Sequence, residues 1–133
     1  MMPACAAHSQ ESPTALSVYG GSCTILIVNG APSAKPCIGT LMVNGFSGGS
    51  KTVIFHNTDD EAIAFQAIPR QGMHYGISSV EVNGQSAPAT GACTIALDAQ
   101  NAGEIRCEAR AGGRVTSGTF QVTALKHRIG GGQ

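Results

Sequence analysis

The stretch from Ala92 to Leu125, ACTIALDAQNAGEIRCEARAGGRVTSGTFQVTAL, decides the fold class. Between Glu104 and Ala111 the alternation is complete. Ile105, Cys107, Ala109 and Ala111 fall on one side, while Glu104, Arg106, Glu108 and Arg110 fall on the other. A strand with one wet face requires this period of two. Cys93, Ile95 and Leu97 repeat it upstream, and Phe120, Val122 and Ala124 repeat it downstream. Three successive strands therefore each bury one face.

Working outward, short apolar runs recur between glycine, proline and asparagine, the spacing of sandwiches and barrels. The candidate strands are Ala15 to Tyr19, Cys23 to Val28, Cys37 to Val43, Thr52 to His56, Ile77 to Val82, Ala92 to Leu97, Glu104 to Ala111 and Val115 to Leu125. Asn29-Gly30, Asn44-Gly45 and Asn83-Gly84 each follow an apolar run, and both residue types tolerate positive φ, so each pair is a candidate hairpin turn. Residues 59–68 fit two descriptions. Thr58 and Glu61 form a capping-box pattern that suits a short helix, whereas Ile63, Phe65 and Ala67 alternate as in a strand. The pattern predicts an antiparallel β-sandwich of seven to nine strands, immunoglobulin-like in outline, although the tryptophan of an antibody-type core is missing. A leader or export-signal remnant occupies residues 1–13, the sandwich residues 14–126 and a flexible tail residues 127–133.

The 133 residues amount to one domain. Charged residues make up 12% of the chain against roughly 25% in soluble domains, and eight basic residues cancel eight acidic ones. Nucleic-acid binders need clustered cations to displace counterions, and here only Lys126-His127-Arg128 forms a run, so the composition excludes that class. No apolar stretch has the length and periodicity of a transmembrane helix.

Four of the five cysteines are regularly spaced. Cys23 and Cys37 are 14 positions apart, as are Cys93 and Cys107, and each pair brackets a turn-rich stretch. Local disulfides across two hairpins are the preferred pairing, although links between Cys23 and Cys93 and between Cys37 and Cys107 would satisfy the same spacing. Gly21 to Ile25 (GSCTI) and Gly91 to Ile95 (GACTI) also match, which suggests related halves offset by 70 residues. Paired cysteines imply an oxidising compartment, periplasmic, cell-surface or secreted. Cys5, followed by Ala6-Ala7 and a polar linker, is a candidate lipidation site, and through it a possible membrane anchor.

Several motifs invite a chemical reading. Gly45-Phe46-Ser47-Gly48-Gly49 spells the G-x-S-x-G of serine hydrolases, with Asp59, Asp60 and His74 following in hydrolase order. That elbow needs a helix after the serine, whereas Lys51 to Phe55 reads as a strand. His56 and Met73-His74 offer ligands that suit copper, and cleavage after Ala7 would make His8 an N-terminal ligand, yet no pair of histidines has a spacing that one strand or turn enforces. Ile68 to Gly76 (IPRQGMHYG) carries Arg70, Met73, His74 and Tyr75 without a core pattern, and it is the candidate binding surface. The leading functional expectation is a non-enzymatic, exported binding or inhibitory module, without cofactor, acting through loops or an edge strand on another protein or a glycan. A periplasmic copper-binding protein is second and a small serine hydrolase third.

Overall fold

The computed structural model describes residues 13–130. Cys5 and His8, and with them the lipidation and N-terminal copper readings, lie outside the described residues. Ten strands follow one another: β1 (Pro13–Val28), β2 (Ala31–Pro32), β3 (Cys37–Phe46), β4 (Lys51–Asn57), β5 (Ala62–Pro69), β6 (His74–Val82), β7 (Gln85–Pro88), β8 (Thr90–Leu97), β9 (Gly103–Ala111) and β10 (Arg114–Gly130). Neighbours pair antiparallel in the order β1, β3, β4, β5, β6, β8, β9, β10, and β10 then pairs with β1. The result is a closed eight-stranded antiparallel barrel with two extra short strands, not the sandwich that the pattern predicts. The connections explain why. Connections of five residues or fewer join successive strands, so each of the eight barrel strands pairs with the barrel strand before it and none crosses to a second sheet. A single meander then buries its apolar face only by curling onto itself.

The extra strands complete long hairpins. β2 pairs with β1 around Asn29-Gly30, through Ile27↔Pro32 and Val28↔Ala31, and β3 resumes on the same side of β1 after a break at residues 33–36. β7 likewise pairs with β6 around Asn83-Gly84, and β8 resumes after Ala89. Both turns have the predicted geometry, with φ of 52° and 87° at Asn29 and Gly30, and 52° and 85° at Asn83 and Gly84. Asn44-Gly45 does not turn. It lies within β3, paired with Thr52 and Lys51, and the chain reverses later, at Ser47 to Gly49.

Other boundaries move for local reasons. Ala15 to Tyr19 and Cys23 to Val28 merge into one strand, β1, whose register against β10 shifts at three places. Such bulges bend and twist a long strand as closure demands. Gly21 sits at one of them, where a Cβ would fall on the Gln121 carbonyl. Residues 62–69 form strand β5. The turn before it is organised by Asn57, whose side-chain oxygen accepts hydrogen bonds from the backbone N–H groups of Asp59 and Glu61, at 2.9 and 3.0 Å. His127 to Gly130, predicted as tail, continue β10 against β1.

The barrel interior is filled at mid-height. Leu41, Val53, Phe55, Phe65, Cys93, Ile105, Cys107 and Phe120 are its most deeply buried side chains. An eight-stranded barrel is just wide enough for such filling. Phe55 meets Phe65 edge to face at 5.8 Å and reaches across to Gly118 on β10, where a Cβ would stand 2.7 Å from the Phe55 ring. Gly118→Ala should therefore push Phe55 out of place and cost about 1–3 kcal/mol, read as a lower midpoint in urea unfolding.

Both disulfides take the local pairing, Cys23–Cys37 from β1 to β3 and Cys93–Cys107 between register partners of β8 and β9. This is an all-β protein with two disulfides, consistent with an extracellular protein, and the sulfur chemistry suggests an oxidising environment. The two stretches of the 70-residue match fall on strands of opposite direction. β1 and β8 stand first and sixth around a barrel of alternating strands, so their hairpins turn at opposite ends. The two bridges also differ in setting. Cys93 and Cys107 are buried in the core, whereas Cys23 and Cys37 are partly exposed beside an outer groove. Mild reductant should open Cys23–Cys37 first, and Cys93–Cys107 should open only with unfolding, as peptide mapping after timed reduction and alkylation will show. Loss of either link should cost about 3 kcal/mol for a loop of this length.

Candidate functional site

Alternation assigns every strand residue to the barrel's inside or outside, and turn positions assign it to an end. One rim carries the turns at residues 29–30, 58–61, 83–84 and 112–113. The other carries the turns at 47–50, 70–73 and 98–102, together with the start of β1 and the end of β10. We call the latter the lower rim.

At the lower rim the packing thins. Across β1, β3, β4, β5 and β6 the buried row Ser17, Val43, Val53, Phe65, Val80 is followed nearer the rim by Ala15, Gly45, Lys51, Ala67, Ile77, two residues on along each strand except β6, where a register shift makes it three. Residues two apart on a strand share a face, so Lys51 occupies an inward-facing position among three small residues. Beside Ala15 and Gly45 lies a cavity of about 290 Å³, lined also by Ser17, Tyr19, Val43, Lys51, Ile95 and Arg128. The Lys51 ammonium lies close to Gly45, 3.6 Å from where a Cβ would be. Arg128 Nε donates to Ser17 Oγ at 3.2 Å. That contact uses one of five guanidinium N–H groups and leaves the serine O–H free to donate. Among the described residues, no carboxylate lies within ion-pair distance of either cation. The one ion pair among the described residues, Arg106 with Glu104 at 3.9 Å, is exposed and contributes little.

The predicted binding residues fall at this same rim but do not converge on the cavity. Ile68 to Gly76 is mostly strand, leaving only residues 70–73 as a turn. The Arg70 guanidinium covers Gly76. Met73 is half exposed, and its carbonyl accepts a hydrogen bond from the Ile95 N–H. His74 is exposed opposite Thr94. Tyr75, next along the strand, takes the inward face and packs against the core. Burial pushes the Tyr75 phenol above its ordinary ionisation range, and the nearby Tyr19 adds to the effect. The folded chain thus holds that proton more tightly than the unfolded chain does. The resulting stability is whole below pH of about 10 and is lost as pH rises through the raised value. Tyr75→Phe should remove a late-titrating phenol from the ultraviolet titration and reduce the loss of stability in alkali.

The geometry separates the other candidate constellations. Ser47 and His74 lie at the lower rim, whereas Asp59 and Asp60 lie in the opposite turn, beyond a β4 about 20 Å long. The three hydrolase positions do not meet. His56, at the far end of β4, is similarly distant from His74. Among the described residues, no three His, Cys, Asp or Glu side chains gather as a metal site.

Ser17, Lys51 and Arg128 were legible only in part from sequence. Lys51 shares the parity of Val53 and Phe55, which is the available signal, but a strand begun at Thr52 leaves it out. Arg128 carries no such signal, because only closure of β10 onto β1 brings it to Ser17. Fold and site together define a disulfide-bridged, closed eight-stranded antiparallel barrel with a cation-lined opening at one end. No protein-family model, curated protein or solved structure matches the chain.

Proposed function

We propose that the protein is an exported, non-catalytic binding module, periplasmic, cell-surface or secreted, that presents the lower rim to another protein or a glycan. One observation carries this reading. Of the four exposed large apolar side chains among the described residues, Ile68, Met73 and Ile129 all belong to the lower rim, and only Ile25 lies elsewhere. Apolar side chains clustered at one end mark interaction surfaces more often than singly scattered ones do. Arg70 and Arg128 stand among them and supply the directional hydrogen bonds that recognition needs. The one acid of the lower turns, Asp98, is engaged in its own loop, accepting from the backbone N–H groups of Gln100 and Ala102 at 2.8 and 3.0 Å. The opposite rim carries Asp59, Asp60 and Glu61, so the two ends present different chemistry. Closure pairs the eight barrel strands on both sides, so that only the short β2 and β7 keep an unpaired side and the turns offer the larger contact surface.

Capture experiments with the purified protein on native envelope and glycan fractions test this reading. Met73→Asp and Arg70→Glu should each weaken capture tenfold or more, while Asp59→Lys at the far rim should leave it unchanged. Equal loss from both ends, or from neither, would exclude the lower rim as the recognition surface.

A further inference from the structure

We propose that the lower mouth of the barrel binds the carboxylate of a small organic acid, with Lys51, Arg128 and Ser17 holding the charged group and the apolar lining holding a short carbon body. This deepens the rim reading and rests on it. Three observations support it. Lys51 occupies an inward position in a row with Ala15, Gly45, Ala67 and Ile77, and the small Ala15 and Gly45 line the open space beside it. Lys51 is only partly buried, and among the described residues its ammonium has no carboxylate partner. Arg128 approaches the same space and is held by Ser17, which is 6% exposed, so its position is set before any ligand arrives. A guanidinium with free N–H groups, an ammonium and a hydroxyl together match the acceptors of one carboxylate.

The remaining lining sets the ligand class. Val43, Phe46, Ile95 and Ala15 supply the smaller, apolar share of a lining that is mostly polar, and the volume of about 290 Å³ is at the lower end for small-molecule sites. A short carboxylic acid fits that combination. A long lipid chain does not, since the barrel above is closed by Leu41, Val53, Phe55 and Phe65. Inorganic phosphate would find the cations but leave the apolar lining unused.

The protein carries its own reporter. It has no tryptophan and two tyrosines. Tyr19 lines the cavity and Tyr75 lies beside Tyr19, so tyrosine emission reads occupancy of the mouth. Hexanoate, hexanol and inorganic phosphate are titrated separately into the folded, oxidised protein, followed by tyrosine emission and by calorimetry. Hexanoate should bind saturably, at least tenfold more tightly than hexanol or phosphate, and should weaken as salt is added. Lys51→Met should lower its affinity tenfold or more, and Lys51→Arg should restore most of it. Gly45→Val provides a second variant that does not alter charge. A Cβ at Gly45 meets only ordinary contacts, so the barrel should form normally, as a melting curve will check, while the branched side chain occupies the cavity. Failure of hexanoate to bind, equal binding of hexanol, equal binding of phosphate, or hexanoate affinity untouched by Gly45→Val would each overturn the assignment. Met73 and Arg70 are not among the cavity-lining residues. Loss of capture in their variants alongside absent hexanoate binding would therefore leave the rim reading standing and remove only this inference.

Discussion

Pairing of the first long strand with the last is the constraint on which the molecule depends. β1 and β10 run together from Ala15↔Gly130 to Ile27↔Ser117, and this contact converts an open meander into a barrel. Without it both strands would be edges, with exposed N–H and C=O groups, and the apolar faces of β3 to β9 would have nothing to cover them. The register shifts along the pair supply the bend that closure demands, and at Gly21 and Gly130 the two backbones come too close for a side chain.

Closure also sets the interior. A ring of eight strands leaves room for roughly one side chain from each wall, and the chain meets that limit by pairing large residues with small ones, most clearly Phe55 against Gly118. Two disulfides brace adjacent strands on either side of the β1–β10 seam, Cys23–Cys37 linking β1 to β3 and Cys93–Cys107 linking β8 to β9. Where the same economy of volume is carried one row too far, at Ala15 and Gly45, the packing opens into a cavity, and an inward lysine stands in it. The candidate site is thus a local departure from the rule that fills the rest of the barrel.

Adjacent positions take different roles because of the two-residue period. His74 and Tyr75 are neighbours in sequence, yet one is exposed and the other packs inward beside Tyr19. Ser47 and His74 share a rim by virtue of strand direction, while Asp59 and His56 are carried to the other by the length of β4. Motifs that look continuous along the chain are therefore divided between two ends and two faces. The ends differ in turn. Apolar and cationic side chains gather where β1 begins, and acids gather at the turn organised by Asn57.

From the order of residues alone, the class of structure was already determined. Alternation in Glu104 to Ala111 specifies strands, Asn29-Gly30 and Asn83-Gly84 specify two turns, and the 14-residue spacings favour the disulfides that form, since all of these are effects between residues near in sequence. Whether the strands stack as two layers or close into one ring was not determined there, because both arrangements need the same one-sided faces. That choice rests on β1 meeting β10 across 90 to 115 residues of chain, which no local pattern records. Asn44-Gly45 shows the same division, since its composition suits a turn but its place opposite Lys51 makes it strand. The cavity follows from the tertiary structure for the same reason: Lys51 becomes an inward charge, and Arg128 its neighbour, only once the barrel has shut.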